Sequence, residues 1–359
     1  MKVLILANND VGLYKFRKEL LERLVSEKHT VYVSLPQGEF IEEIQNIGCK
    51  YIETYISRHG TNPFQDLKLL INYIFILRKI KPDMVFTYTI KPNVYGGMLC
   101  ALMDIPYVAN VTGLGNSIQN GGPLQKICKF LYAKGLKKAK KIFFQNCSNK
   151  ALFESWGIVH DNAQLIPGSG VNLSYHTPAN YPDDSTGTRF LFIARIMQAK
   201  GIDELLAAME QVHRKYPQAT LDIVGGLDGN YQAVMDSLKG SNYITYHGNQ
   251  SDVRTFIRRT HCTVLPSHHE GMANVLLESA SAARPVIASK VPGCQETFDE
   301  GISGFGCMVR NADSLAEAMM KFIELPYEKK REMGIAGRKK MEREYDRNIV
   351  VNAYMNTLK

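Results

Sequence analysis

Two glutamates eight residues apart, Glu270 and Glu278, fall in the run Ser267-His-His-Glu-Gly-Met-Ala-Asn-Val-Leu-Leu-Glu278. Gly271 opens a turn between the first of them and a helix that carries the second. In that arrangement Glu270 stands in a loop where it can face a sugar. The amides of Gly271, Met272, Ala273 and Asn274, at the helix N-terminus, point toward an anion. Glu278, two helical turns beyond Glu270, can reach a ribose. Upstream, the apolar run Arg189-Phe-Leu-Phe-Ile-Ala194 leads directly into Arg195-Ile-Met-Gln-Ala-Lys-Gly201, so two cations flank the turn after a strand. Open α/β sheets take ligands at the carboxyl ends of their strands, which puts Arg195 and Lys200 where a diphosphate would lie. Either cation alone reads equally well as a surface charge or a helix-end residue.

Other reactive-looking groups exclude more than they establish. Asp222-Ile-Val-Gly-Gly-Leu-Asp-Gly229 is a strand ending in glycines, but it does not match G-x-G-x-x-G. Neither do Gly113-Leu-Gly115 or the first turn, Asn8-Asn-Asp-Val-Gly12. A nicotinamide-binding enzyme is therefore disfavoured, and these glycines serve close backbone approach to a base, phosphate or acceptor. His268 and His269 adjoin Glu270 without a third ligand, so no metal is expected there. No two aspartates are separated by a single residue, so the D-x-D metal clamp is absent and catalysis without a divalent ion is expected. Gly168-Ser-Gly170 lacks the G-x-S-x-G spacing of a nucleophile elbow and reads as a turn.

The elements that must position these residues alternate along the chain. Strand-like runs are expected at 3–7, 30–35, 83–88, 106–111 and 141–145, and again at 189–194, 219–224, 243–246, 262–266 and 285–289, with helical patterns between them. Such alternation predicts two parallel sheets wrapped by helices. Residues 172–188, rich in Pro, Ser, Asp and Asn, read as a linker between a domain over 1–175 and one over 186–344. The stretch from Tyr327 to Lys359 reads as helices with a break near Tyr345-Asp346, which sets off the part from about 345 to 359. A chain of 359 residues suits two domains rather than one core.

With 45% hydrophobic and 22% charged residues the composition is that of an ordinary globular protein. Apolar runs such as Val3-Leu-Ile-Leu-Ala7 are far shorter than the ~20 residues that span a bilayer. The polar Asn8-Asn-Asp10 ends the first run too early for a signal peptide, which predicts a cytoplasmic protein. Seven cysteines form no C-x-x-C pair and read as reduced thiols.

The net charge of +8 is lopsided: residues 1–180 hold 21 Lys/Arg against 13 Asp/Glu, and residues 181–359 hold 22 against 22. No acidic residue lies between Asp104 and Glu154, where Lys126, Lys129, Lys134, Lys137, Lys138, Lys140, Lys141 and Lys150 interleave with Leu124, Ile127, Phe130, Leu131 and Leu136. This amphipathic stretch fits either an anionic membrane surface or a solvated helix face. Nucleic acid is disfavoured, because no aromatic platform or base-reading motif accompanies the lysines. The run Asn62 to Lys81, with Leu69-Leu-Ile-Asn-Tyr-Ile-Phe-Ile-Leu77, reads first as a helix buried against the sheet and second as the lining of a lipid groove.

Together, Arg195…Lys200, Glu270 to Glu278, Ile166-Pro-Gly-Ser-Gly-Val-Asn172 and Ala282-Ala-Arg-Pro-Val-Ile-Ala-Ser289 resemble the family 4 retaining glycosyltransferases across essentially the whole chain. The resemblance implies the α/β GT-B fold: two Rossmann-like, doubly wound domains facing across a cleft, with the final helix crossing back to the first. It assigns Arg195 and Lys200 to a donor diphosphate, Glu278 to the ribose, Glu270 to the donor sugar and Gly12 to the diphosphate. Backbone near Gly225, Gly226 and Asn249 to Val253 would hold the uracil.

Many members carry a histidine where this chain has Val108-Ala-Asn-Val-Thr-Gly-Leu-Gly115. Asn110 or Thr112 would then hydrogen-bond the donor sugar, near Gly113, without replacing a general base. Thr87-Tyr-Thr-Ile-Lys-Pro-Asn-Val-Tyr-Gly-Gly97, with Lys91 on the acceptor side, resembles the capsule and lipid-linked oligosaccharide branch, which adds N-acetylhexosamine to undecaprenyl-diphosphate sugars. The implied reaction is metal-independent, retaining transfer of N-acetylgalactosamine or N-acetylglucosamine from a UDP-sugar to a lipid-diphosphate saccharide. The implied location is the cytoplasmic face of the membrane. A UDP-sugar epimerase or hydrolase of the same fold, or a non-catalytic UDP-sugar-binding subunit, are the other classes these residues admit.

Overall fold

The computed structural model describes residues 1–56, 62–113 and 122–359. Leu114, Gly115 and the side chain of Leu124 lie outside the described residues. The chain forms two compact units, Met1–Ser169 with Arg347–Lys359, and Gly170–Asp346.

The first unit is built on seven parallel strands: β1 (Lys2–Leu6), β2 (Thr30–Leu35), β3 (Lys50–Glu53), β4 (Met84–Tyr88), β5 (Tyr107–Val111), β6 (Lys141–Phe144) and β7 (Ala163–Leu165). Their spatial order is β3-β2-β1-β4-β5-β6-β7. β1 reads as a continuous apolar run because both sheet faces are covered: Val3 and Ile5 enter one core, Leu4 and Leu6 the other. On the Val3 side lie helix α1 (Asp10–Ser26) and the C-terminal helix, Arg347–Met355, whose Tyr354 packs edge-on against Phe86 and Phe143. Behind β2 runs α2 (Ile41–Asn46).

The opposite face carries α3 (Pro63–Ile80), a π-helical turn at Pro92–Gly96, α4 (Gly97–Leu102) and α5 (Pro123–Gly135), and α6 (Cys147–Ser155) follows β6. Asn62 starts α3 by accepting the Phe64 amide at 3.0 Å, Pro63 fixes the first turn, and Lys81 ends it in a left-handed conformation. As expected, α3 is buried against the sheet, but on one face only. Leu69, Tyr73, Ile76, Leu77 and Ile80 enter the core, but Phe64, Leu67, Ile71 and Phe75 face outward.

The second unit has six parallel strands: β8 (Arg189–Ile193), β9 (Thr220–Val224), β10 (Ile244–Tyr246), β11 (Cys262–Leu265), β12 (Val286–Ser289) and β13 (Gly304–Cys307). They run in the order β10-β9-β8-β11-β12-β13, so the winding direction switches between β8 and β11. Helices α7 (Ile202–Lys215), α8 (Gln232–Ser237), α9 (Arg254–Arg259), α10 (Asn274–Ser281), α11 (Ala312–Ile323) and α12 (Tyr327–Glu344) surround the sheet. Strands β3, β7 and β13 have no counterpart among the expected runs. The first two are part-exposed, and β13, Gly-Phe-Gly-Cys, offers little apolar signal.

Residues 172–188, read from composition as a linker, are fastened along the second unit. The fully buried Arg284 guanidinium donates to the carbonyls of Ala179 and Asn180, and to those of Ile257 and Arg258. Burial lowers its pKa to about 10, so it stays charged at neutral pH, answered by carbonyl dipoles. Buried His261 accepts the Arg189 amide on Nδ1 at 2.9 Å and meets the Asp183 carbonyl through Nε2 at 3.1 Å. The expected helical break is present, α12 ending at Glu344 and the next helix starting at Arg347. No described helix is long and apolar enough to cross a membrane, and all seven cysteines are free.

Candidate functional site

In the second unit the switch between β8 and β11 brings together the two segments singled out by their chemistry. After β8 the chain passes Ala194 and Arg195, pairs at Ile196 with Leu227, and closes a 3-10 turn over Gln198–Lys200. Two glycines permit the close packing. A Cβ on Gly225 (φ +148°) would stand 1.8 Å from the Ala194 carbonyl oxygen, and one on Gly201 (φ +73°) 2.1 Å from that of Pro266. Gly201 therefore lets the turn bearing Lys200 lie against the end of β11.

Lys200 Nζ sits 2.5 Å from Glu270 Oε1, which also accepts from Ser267 Oγ at 2.8 Å. Both charged side chains are mostly sheltered from solvent. The next residues bind the same two segments more firmly. The His268 amide donates to the Ala199 carbonyl at 2.9 Å, its Nδ1 accepts from Arg310 Nε at 3.3 Å, and its Nε2 lies 2.9 Å from Glu204 Oε1 in the first turn of α7. With Nδ1 accepting, the ring proton rests on Nε2 and is donated to Glu204. Burial lowers the pKa of His269, against the opposing pull of Glu270. Sequence reasoning missed Glu204 and Arg310, since only the fold brings them to the loop.

Arg195 is exposed and paired with Asp228, a residue the sequence reading passed over. Gly226 accepts the Ile196 amide at 2.9 Å, and Gly225 donates to the Gly248 carbonyl at 2.8 Å, next to exposed Asn249. Val253, capping α9, packs with Leu191, Val224 and Ile257. The four residues expected around a base thus gather at the carboxyl ends of β9 and β10.

Helix α10 modifies the expected anion site. Its first residue is Asn274, and Asn274 and Glu278 share one face at i and i+4, both half-buried. Asn274 Oδ1 is buried without a hydrogen-bond partner among the described residues. The Ala273 amide, expected to face an anion, donates to the Gly293 carbonyl at 2.8 Å. Met272 is a core residue, packed with Val171, Leu277, Met341 and Tyr345, so its side chain is withdrawn from any ligand. Gly293 (φ +83°) supports the loop, since a Cβ there would meet the Glu270 and Gly271 carbonyl oxygens at 2.7 and 2.8 Å.

In the first unit several expected positions are occupied by structural partners. Gly12 lies in the first turn of α1, its amide accepted by Asn9 Oδ1 at 2.5 Å. Asn110 is fully buried and donates from Nδ2 to the Tyr354 hydroxyl at 2.7 Å, which corrects its expected place beside a sugar. Lys91 is drawn to Asp66 at 2.8 Å, and Asp66 also accepts from Tyr95. Thr112 and Gly113 follow β5 and are half-buried. Of the lysines expected to face a membrane, Lys126, Lys129, Lys134 and Lys137 are exposed, while Lys138 pairs with Asp104 at 2.7 Å. Among the described residues no three His, Cys, Asp or Glu side chains converge as a metal site.

Comparison with known proteins agrees with this geometry. Residues 177–340 match the family described as Glycosyl transferases group 1, and residues 2–146 that described as Glycosyl transferase 4-like. The chain is 26% identical to the N,N'-diacetylbacillosaminyl-diphospho-undecaprenol alpha-1,3-N-acetylgalactosaminyltransferase of Campylobacter jejuni, over 99% of this chain and 97% of that one. It is also 26% identical to the capsular polysaccharide biosynthesis glycosyltransferase CapM of Staphylococcus aureus, over 80% and 79%. Among solved structures, a glycosyltransferase from Rickettsia africae matches with a TM-score of 0.79 at 21% identity, covering 100% of this chain and 98% of that one. Anabaena HepE in complex with UDP and glucose matches with 0.82 at 17%, covering 100% and 99%. Two parallel sheets with this winding, and family matches to each of them, make the chain a family 4-like glycosyltransferase of the GT-B fold.

Proposed function

We propose that this glycosyltransferase moves an N-acetylhexosamine from a UDP-sugar to a saccharide carried on a lipid diphosphate, with retention and without a divalent ion. The observation that carries the reading is the Lys200–Glu270 pair, which joins the turn after β8, the turn that also bears Arg195, to the loop before α10 at the switch point of the second sheet. As the bond from the sugar to the diphosphate breaks and the acceptor hydroxyl attacks from the same face, negative charge grows on the leaving diphosphate. Two cations and a helix N-terminus at that place would stabilise it.

Glu270 would hold the Lys200 ammonium in position and face the donor sugar, and Glu278 would take the ribose hydroxyls. The unsatisfied Asn274 Oδ1 offers one more acceptor for a ligand hydroxyl. Gly225, Gly226, Asn249 and Val253 would bound the base. The likeness along nearly the whole chain to a transferase acting on a diphospho-undecaprenol substrate supports the lipid-linked acceptor. The lysines of α5 support a protein peripheral on the cytoplasmic face of the membrane, its headgroups being anionic.

The test is thermal stabilisation of the purified protein by UDP, GDP, NAD and a panel of UDP-sugars in the presence of a chelator. Saturation at ~100 Kd adds ~2.7 kcal/mol of stability. A shift with UDP and one UDP-N-acetylhexosamine supports the reading; a shift with NAD or GDP alone, or none with UDP, overturns it.

A further inference from the structure

Helix α3 is apolar on two opposite sides. Its inner side, Leu69, Tyr73, Ile76, Leu77 and Ile80, packs on the sheet. Its outer side bears Phe64 (85% exposed), Leu67 (56%), Ile71 (47%) and Phe75 (68%), which the 3.6-residue repeat lines up in one stripe. A helix that is apolar all round is ordinarily buried, and a contiguous exposed apolar stripe on a soluble surface marks a place that something covers.

The surroundings indicate what that is. The stripe is edged by exposed Lys68, Arg78 and Lys79, while the helix's lone acid, Asp66, is already engaged by Lys91 and Tyr95. Helix α5 lies on the same side of the sheet, its Tyr132 and the following Leu136 sharing one core with the inner side of α3. Outward it shows Ile127 and Phe130 among the exposed lysines. A protein partner would match such a surface with acidic and apolar patches arranged to fit. A bilayer offers a continuous apolar layer beneath negative headgroups, which matches a stripe of aromatics with basic edges wherever it lands. With 18 residues and basic flanks, α3 is built to lie in the interface rather than to span it.

We infer that the outer face of α3 seats in the headgroup–acyl boundary of an anionic membrane, with the α5 lysines as an electrostatic rim. The inference deepens the lipid-linked acceptor reading and rests on it, since burying this stripe holds the first unit at the surface where such an acceptor resides. Insertion separates from charge attraction by salt: lysine–headgroup attraction is screened within about 3 Å at 1 M salt, whereas apolar burial is not.

The experiment is sedimentation of the full chain with phosphatidylglycerol-containing and with purely zwitterionic vesicles, at low salt and at 1 M salt. Phe64→Ser/Phe75→Ser and Lys126→Ala/Lys129→Ala/Lys134→Ala variants run beside the wild type. The wild type is expected to keep part of its binding at 1 M salt. The phenylalanine variant should lose about tenfold or more of that remainder while keeping its UDP-induced thermal shift. The lysine variant should lose chiefly the low-salt portion. Wild-type binding by the phenylalanine variant at both salts, or no retention of the wild type on anionic vesicles, overturns the inference. So does a concentration-dependent dimer in size-exclusion chromatography that Phe64→Ser/Phe75→Ser dissolves, which would give the stripe to a second copy. Vesicle binding involves neither donor nor acceptor, so failure of the transfer reading would appear separately, as a missing UDP shift.

Discussion

Lys200 Nζ and Glu270 Oε1 lie 2.5 Å apart, joining the turn after β8 to the loop after β11. Because both charges are mostly sheltered, removing one strands the other in a poorly solvated place, at about 3–5 kcal/mol for a fully buried pair and less here. Lys200→Ala should therefore lower both the melting temperature and turnover, the latter by ~10²–10³. Adding Glu270→Ala to it should restore part of the stability and none of the turnover. Thermal melts and transfer rates on the two variants check this; recovery of activity in the double variant would remove Lys200 from the chemistry.

Arg195 presents the opposite case. Its partner Asp228 is as open to solvent as an ordinary surface residue, and such pairs contribute about 0–1 kcal/mol. Arg195→Ala should leave the melting temperature nearly unchanged while cutting turnover by ~10²–10³. Asp228→Asn should leave both close to wild type. Near-normal turnover in Arg195→Ala would end its assignment to the leaving diphosphate.

His268 links Arg310 to Glu204, whose Oε2 is already buried without a partner among the described residues. His268→Ala would leave both carboxylate oxygens of Glu204 unmet, destabilising the protein by about 1–3 kcal/mol. The loop that carries Glu270 would also loosen, so donor KM should rise more than kcat falls. His268→Gln, which can still donate to Glu204, should recover much of the KM. Equal KM values in the alanine variant and the wild type would confine His268 to stability alone.

His261 makes the second unit sensitive to pH. Burial holds its folded pKa below 6.5, with Nδ1 committed to the Arg189 amide, so the unfolded chain takes up a proton before the folded one does. Stability is then full above pH 6.5 and is lost as pH falls from there toward the folded pKa. Melts at pH 7.5, 6.5 and 5.5 should show this loss in the wild type and a smaller one in His261→Gln. An identical pH dependence in both proteins would exclude His261 as its source.

How much of this was legible in the sequence differs by residue. Arg195 and Lys200 were readable because an apolar strand, a glycine and a helix follow one another within a few positions, and local order alone puts them at a strand end. The burial of the Met272 side chain was not readable, because it depends on Met341 and Tyr345, which only tertiary packing brings to it. Asn110 likewise is claimed by Tyr354 from the far end of the chain. Arg284 lay within a recognised motif, yet its carbonyl partners sit in the segment that composition marked as linker. The outer stripe of α3 was hidden for another reason: apolar periodicity says which residues seek to leave water, not which of them a sheet will cover.

The most direct test of the account is transfer of label from a UDP-N-acetylhexosamine to an undecaprenyl-diphosphate saccharide in the presence of a chelator, with the anomeric configuration of the product read by NMR. The account predicts labelled lipid product that keeps the donor's configuration, and turnover unaffected by the chelator. Release of UDP without labelled lipid, an inverted product, or activity that returns only on adding a divalent ion would contradict it.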